Sequence, residues 1–251
     1  MLALVSWQVA VGGPLLGLDR WVRQTVRSAH QEVPGGLFDR LGHALSDLGS
    51  SVPAVPVLLA AGVLAAWRWR RTGARTESGS GPGTDAGTGP GTATRHWWLP
   101  LPVAALTAGL IPLLVVPAKA VFARPGPSGD PLTPEQWGWY PSGHTATASL
   151  AYGVAALLLA RTVRPRAARR LAAGAVLLAV GVGAGLVWSD FHWLLDVVAS
   201  WCLAVLVLWG LARRLPRRAR RSGPGPGADP GAVPDQLRPS PGNGSPMTDR
   251  R

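Results

Sequence analysis

The chain of 251 residues carries a formal net charge of +12, and 47% of its residues are hydrophobic while only 15% are charged. Soluble domains usually contain about 25% charged residues, and here the charges are gathered in clusters between long apolar runs. The composition argues against a soluble enzyme and against a nucleic-acid-binding domain, which would need a basic face on a soluble fold. It indicates an integral membrane protein.

Six apolar runs, each near the ~20 residues that cross a bilayer, predict six transmembrane helices. They cover residues 1–18, 52–67, 97–116, 145–160, 171–188 and 194–211. The first run lacks the basic start of a signal peptide, so we interpret it as a span. Cys202, the only cysteine, lies in the sixth run and is expected to pack as a small apolar residue. The predicted fold class is all-α, a polytopic helical bundle.

The segments between these runs differ in character. Residues 19–50 mix charged and apolar side chains at spacings that predict short amphipathic helices on the outer surface. Residues 72–94 are rich in Gly, Thr and Ser, which predicts a flexible cytoplasmic linker, and residues 216–251 have the composition of a disordered cytoplasmic tail. The predicted organisation is two spans with their connection at 1–71, the linker, a transmembrane core at 95–215, and the tail.

Arginines are concentrated after every second predicted span. The three groups are Arg68, Arg70, Arg71 and Arg75; Arg161, Arg164, Arg166, Arg169 and Arg170; and Arg213, Arg214, Arg217, Arg218, Arg220 and Arg221. The positive-inside rule places such junctions in the cytoplasm. Six spans would then put both termini in the cytoplasm and the other three junctions outside.

Following the spans in this topology brings four polar residues to the outer face. Lys119 ends the third span, His144 begins the fourth, and His192 and Asp196 begin the sixth. Lys119 is the only lysine beside 24 arginines, although an interfacial anchor would also explain it. His192 and Asp196 are four residues apart on one helix face, where a carboxylate can orient an imidazole; a structural polar pair is the alternative.

The sequence Pro141-Ser142-Gly143-His144 precedes the fourth span. Proline favours a helix start, and the free N–H groups of a helix N-terminus bind anions. A plain helix cap would explain the proline and the serine but leaves His144 without a role. A phosphate held by these N–H groups would have an imidazole beside it as a proton donor.

Together these residues resemble the type 2 phosphatidic acid phosphatase family, membrane lipid phosphatases related to vanadium haloperoxidases. The family signatures are Lys, six residues, Arg-Pro; Pro-Ser-Gly-His; and Ser-Arg, five residues, His, three residues, Asp. The second is complete at residues 141–144, and the third is matched by His192 and Asp196. The resemblance extends over about residues 19–211 and makes 95–215 the catalytic core.

The resemblance implies a mechanism without metal or other cofactor. His192 would attack phosphorus to form a phosphohistidine, with Asp196 orienting its ring, and His144 would protonate the leaving group and later activate water. Lys119, Ser142 and Gly143 would bind the phosphoryl oxygens. The expected substrate is a lipid phosphate or polyprenyl diphosphate at the extracytoplasmic face of the cell membrane.

Two signature arginines are missing. Gly126 stands where the first signature has Arg, and Gly185-Leu186 stand where the third has Ser-Arg. Loss of two anion-binding groups could lower the rate by about 10⁴-fold or more. Arg124, two residues before Gly126, is the expected substitute in the phosphate site, with an ordinary interfacial arginine as the alternative.

The sequence leaves three functional alternatives. The missing arginines favour a degenerate relative that binds a phospholipid or diphosphate headgroup without turnover, whereas the intact His192 and Asp196 favour catalysis. A phosphotransferase would use the same phosphohistidine with an alcohol as acceptor. A haem or metal site at His144 and His192 is a remote alternative, because no cysteine or carboxylate cluster accompanies them.

Overall fold

The computed structural model describes residues 1–32, 36–77, 96–129, 132–133 and 136–215, and within these ranges all regular structure is helical. The helices are α1 (Leu2–Ala10), α2 (Leu16–Glu32), α3 (Leu37–Leu48), α4 (Ser51–Glu77), α5 (Pro100–Phe122), α6 (Gly143–Ala160), α7 (Pro165–Trp188) and α8 (Leu194–Arg214). The all-α prediction is confirmed. Helix α4 continues into the predicted linker as far as Glu77, and residues 78–95 and the predicted tail lie outside the described residues.

Five of these helices are long and apolar enough to cross a bilayer: α4 over Ser51–Arg71, and α5, α6, α7 and α8 over their full lengths. Large apolar side chains such as Leu106, Leu113 and Leu177 are exposed on the outer surfaces of the helices. Such surfaces are stable in lipid and unfavourable in water. The protein is a multi-pass membrane protein.

The first predicted span is wrong. Helix α1 has only nine residues and rises about 14 Å, half the ~30 Å thickness of the hydrocarbon core. The chain then turns at Gly12, which has a positive φ of 64°, and Gln8 Oε1 accepts from the Leu15 N–H at 3.3 Å. Glycine tolerates this backbone conformation and Pro14 cannot continue the α1 hydrogen bonds, so the apolar run is divided between two helices.

Helix α6 lies at the centre of the bundle. Of its residues 61% are buried inside the protein, compared with 22–33% for the other four membrane helices. Val154 and Leu158 of α6 pack with Leu58 of α4 and Ala104 of α5. This central position fixes the direction of the first turn of α6, which carries His144.

The two ends of the bundle differ in chemistry. At one end, Arg68 donates to Thr162 Oγ1 at 3.5 Å, and Arg161 donates to the carbonyls of Ala212 at 3.1 Å and Leu215 at 3.3 Å. These contacts join the C-terminal ends of α4, α6 and α8. The basic junctions therefore meet at one end, as predicted from the sequence.

The amphipathic helices predicted within residues 19–50 are present as α2 and α3 at the other end. Helix α3 packs against α7, where a Cβ on Gly185 would lie 2.7 Å from the carbonyl oxygen of Gly42. Helix α1 packs near the start of α8 through Val5, which shares an apolar cluster with Tyr140 and Leu195. The three short helices thus cover the end of the bundle that carries the candidate site.

Candidate functional site

The first turn of α8 orients one imidazole. His192 Nδ1 lies 3.2 Å from Asp196 Oδ2, which also accepts from the Trp193 N–H at 3.2 Å. Both side chains are buried. Because a carboxylate only accepts hydrogen bonds, this contact assigns the proton to Nδ1 and leaves the lone pair on Nε2. An imidazole held in this way can act as a nucleophile through Nε2.

The Pro-Ser-Gly-His segment is fixed to the same turn. The Ser142 N–H donates to the carbonyl of Asp196 at 3.1 Å, and Ser200 Oγ donates to the Ser142 carbonyl at 2.8 Å. Ser142 Oγ accepts from the Thr145 N–H at 3.3 Å and caps α6. The fully buried Ser142 side chain therefore serves the helix start, while Gly143 and His144 line the adjoining cavity.

Lys119 reaches this cavity from the last turn of α5. Its Nζ donates to the carbonyl of Gly138 at 3.0 Å and lies 5.8 Å from the ring centre of Trp139. A Cβ on Gly143 would be 3.7 Å from Lys119 Cε. The ammonium group is therefore close to the N-terminus of α6, where both would attract an anion.

One cavity of about 540 Å³ joins these groups. Its polar lining includes Lys119, Gly143, His144 and His192, and its apolar lining follows α5 from Val115 to Ala108. Eleven residues of helix between Lys119 and Ala108 correspond to about 16 Å. The cavity has the shape and chemistry to hold a phosphoryl group at one end and an apolar chain along the other.

Arg124 lies behind the cavity and is not among the residues that line it. Its Nη1 donates to Asp196 Oδ1 at 2.6 Å and its Nη2 to Asp19 Oδ2 at 2.5 Å. The side chain is 9% exposed and its guanidinium carbon lies 5.3 Å from the Trp193 ring. The structure therefore brings Arg124 to the carboxylate that orients His192, and the phosphate-binding role expected for Arg124 stays a prediction.

Other side chains occupy the surroundings of the two missing arginines. At Gly126, a Cβ would lie 2.3 Å from the indole Nε1 of Trp139. At the third signature, Leu186 is buried with Ala148 and Val182 and contributes an apolar surface to the cavity. Lys119 is consequently the one Lys or Arg among the described residues that line the cavity.

Asp190 precedes His192 by two residues, and its carboxylate is bound by arginines. It receives a two-pronged contact from Arg23, at 2.8 and 3.0 Å, and a third bond from Arg27 at 3.0 Å. Such paired contacts neutralise a carboxylate. The negative charge of Asp190 is therefore balanced by two arginines of α2.

Asp19, on α2, is a buried residue beside the candidate site that sequence reasoning missed. It is 2% exposed, contacts Arg124, and accepts from the Leu195 N–H at 2.9 Å. Burial raises the pKa of Asp19, and its bonds with Arg124 and Leu195 act in the opposite direction. The only available signal was an acidic residue in the first turn of an amphipathic helix, a position that ordinarily stabilises the helix dipole.

Burial also raises the pKa of Tyr140, whose hydroxyl is 2.8 Å from Ser6 Oγ on α1.

Within the described part of the chain, no group of three His, Cys, Asp or Glu side chains is arranged to hold a metal ion.

A family model described as the PAP2 superfamily matches residues 97–220. Over these residues the chain belongs to the PAP2 superfamily. The matched segment includes Lys119, His144, His192 and Asp196 but leaves Asp19 outside.

The fold is similar to a solved structure described as the first transmembrane PAP2 type phosphatidylglycerolphosphate phosphatase from Bacillus subtilis. The TM-score is 0.63 at 20% identity, with 87% of this chain and 97% of that chain covered. A comparison with curated proteins found no match. The chain therefore has the fold of a membrane PAP2 protein.

Proposed function

We propose that this protein is an integral membrane phosphatase that hydrolyses a lipid phosphate or diphosphate through a phosphohistidine. The observation that carries the proposal is a single cavity lined by His192, His144 and Lys119, with an apolar extension along α5. The PAP2 membership and the fold shared with a lipid phosphatase support the same reaction class.

The first chemical step forms the covalent intermediate. Nε2 of His192 attacks phosphorus, and the bond from phosphorus to the leaving oxygen breaks as His144 donates a proton to that oxygen. Asp196 stabilises the positive charge that develops on the His192 ring through its contact with Nδ1. Lys119 and the N–H groups at the start of α6 bind the phosphoryl oxygens.

The second step releases phosphate. Water enters where the lipid alcohol, or the lipid monophosphate of a diphosphate substrate, has left. Neutral His144 removes a proton from this water as the water oxygen attacks phosphorus. The phosphorus–nitrogen bond breaks, and His192 regains its lone pair. The products are inorganic phosphate and a dephosphorylated lipid, or a lipid monophosphate when the substrate is a diphosphate.

The topology supports an extracytoplasmic site. The basic ends of α4, α6 and α8 belong in the cytoplasm by the positive-inside rule, so the cavity at the other end opens outside. The five spans found among the described residues change one part of the expected topology, because an odd number puts the termini on opposite sides. The N-terminus is then extracytoplasmic and the C-terminus cytoplasmic, and an N-terminal epitope should be accessible to antibody in intact spheroplasts.

The proposal is tested with the purified full-length protein in nanodiscs against phosphatidate, phosphatidylglycerophosphate, diacylglycerol pyrophosphate and a polyprenyl diphosphate. We expect phosphate release from at least one of them in the presence of EDTA, and loss of that release in His192→Ala. Release that stops in EDTA and returns with Mg²⁺, or that persists in His192→Ala, would contradict the mechanism.

A second candidate function is headgroup binding without turnover. It is favoured by the surroundings of Gly126 and Leu186, which leave Lys119 as the one Lys or Arg among the described cavity-lining residues. In that case the same panel gives saturable lipid binding with no phosphate release, and His192→Ala binds as well as the unmodified protein.

A further inference from the structure

An uninterrupted chain of contacts connects α2 to the proposed nucleophile. Asp19 Oδ2 contacts Arg124, and Arg124 contacts Asp196 Oδ1 at 2.6 Å. Asp196 Oδ2 in turn contacts His192 Nδ1 at 3.2 Å. The three charged side chains behind His192 are all buried, so their interactions are weakly screened by solvent.

The charges along this chain do not cancel. Arg124 alone would neutralise Asp196 and weaken the support that Asp196 gives to a positively charged His192 ring. Asp19 supplies a second carboxylate against the one guanidinium, so one negative charge remains behind the ring. That charge favours the state in which His192 is positively charged, the state formed when Nε2 bonds to phosphorus.

The second carboxylate oxygen of Asp19 fixes the position of the backbone beside Asp196. Asp19 Oδ1 accepts from the N–H of Leu195 at 2.9 Å, in the same helical turn as Asp196. Asp19 thus holds both the guanidinium that contacts Asp196 and the backbone next to Asp196. Since an orienting hydrogen bond loses strength with small displacements, this double contact maintains the His192–Asp196 alignment.

We propose that Asp19 is a positioning residue of the active site, which acts on His192 through Arg124 and Asp196. The role rests on the proposed phosphohistidine mechanism. Asp19 lies outside residues 97–220, the segment matched by the family model. In this proposal, α2 packs over the end of the bundle and also supplies a residue that positions His192.

The test is a double-mutant cycle in the full-length protein, with initial rates measured on the best lipid of the panel. Asp19→Asn is expected to lower kcat by about 10- to 100-fold, with KM changed by less than about threefold. Asp196→Asn is expected to cost about 10⁴-fold, as is typical when the partner of a catalytic histidine is lost. Adding Asp19→Asn to Asp196→Asn should then change kcat by less than about threefold, since the path to His192 is already broken.

The matched control is Asp190→Asn. Asp190 is also an aspartate bound by arginine, Arg23 of α2, but it has no contact with Asp196, so kcat should stay within about twofold of the unmodified protein. Arg124→Gln removes the partner of Asp19 in the same path. Its effect on kcat should also fall below about threefold in the Asp196→Asn background.

If Asp19→Asn lowers kcat by the same factor in the unmodified protein and in Asp196→Asn, Asp19 only supports the fold. That result would overturn the positioning role while the phosphatase mechanism stands. An unchanged kcat in Asp19→Asn would do the same. If Asp19→Asn does not yield folded protein, additive effects of Arg124→Gln and Asp196→Asn would overturn it equally. An unmodified protein without activity would overturn the proposed function and the positioning role together.

Discussion

Trp139 and Gly126 are in such close contact that any side chain at position 126 must displace the indole. A Cβ on Gly126 would lie 2.3 Å from Trp139 Nε1, well below an ordinary van der Waals contact. The same indole is edge-on to His192, with ring centres 5.6 Å apart. An aromatic wall thus borders the site at the position where the PAP2 signature has an arginine.

Restoring that arginine alone should therefore not increase phosphate release. We expect Gly126→Arg to lower the thermal unfolding midpoint and to leave phosphate release no higher than in the unmodified protein, because overpacking a close contact costs about 1–3 kcal/mol. Gly126→Arg combined with Trp139→Gly should release phosphate at least tenfold faster than Trp139→Gly alone, the matched control. A single Gly126→Arg variant with higher activity and an unchanged midpoint would contradict this account of the wall.

The third signature is constrained by helix packing. A serine at Gly185 would bring its Cβ to 2.7 Å from the Gly42 carbonyl oxygen, and backbone cannot move as freely as a side chain. We expect Gly185→Ser to destabilise the α3–α7 contact by about 1–3 kcal/mol, measured as a lower unfolding midpoint in detergent. Gly174→Ser in the same helix is the control, since nothing lies within 4 Å of its Cβ; equal midpoints for the two variants would contradict the prediction.

Lys119 should carry most of the phosphate binding. Loss of an oxyanion-binding group typically lowers catalysis by about 10²- to 10³-fold, and no arginine lines the cavity within the described residues. We expect a loss of this size in kcat/KM for Lys119→Ala and partial recovery in Lys119→Arg. Arg164→Ala, at the opposite end of the bundle, is the control and should keep full activity. A loss below about threefold in Lys119→Ala would show that phosphate is bound elsewhere.

Asp19 should give the activity a specific pH dependence. Burial raises its pKa, so its carboxylate takes up a proton at a higher pH than an exposed aspartate does. The charged groups facing it are Arg124 and Asp196. Above the pKa the charge is present and supports His192; as pH falls through the pKa, protonated Asp19 becomes equivalent to asparagine.

The ratio of kcat between the unmodified protein and Asp19→Asn is therefore expected to be largest at neutral pH and to approach one in acid. Taking the ratio cancels the titration of other groups in the site that both proteins share. A ratio that stays constant from pH 7 down to the acid limit of stability would show that the Asp19 charge has no part in catalysis.

Local patterns predicted the four side chains that the structure brings together at one end of the bundle. The spacing of His192 and Asp196 requires only one helical turn, and the direction of each membrane helix follows from the arginines at its end, so their convergence with Lys119 and His144 could be predicted. The contact between Asp19 and Arg124 joins positions 105 residues apart. It depends on how α2 packs across α8, which periodicity does not encode.

The first helix shows the same limit from the other side. Hydropathy alone makes residues 1–18 a span, but the Gly12-Gly13-Pro14 sequence ends α1 after nine residues.

Arg124 was expected in the phosphate site because it stands two residues from a missing arginine. Its placement depends on two buried carboxylates, one of which comes from a helix that the signatures do not include.

The central claim is that His192 bonds covalently to phosphorus. The most direct measurement is rapid quenching of the protein with a ³²P-labelled lipid phosphate under alkaline conditions, followed by peptide mapping. The mechanism predicts label on the peptide containing His192 in the unmodified protein and none in His192→Ala. Release of phosphate at full rate without label on His192 at any quench time, or label that remains in His192→Ala, would contradict it.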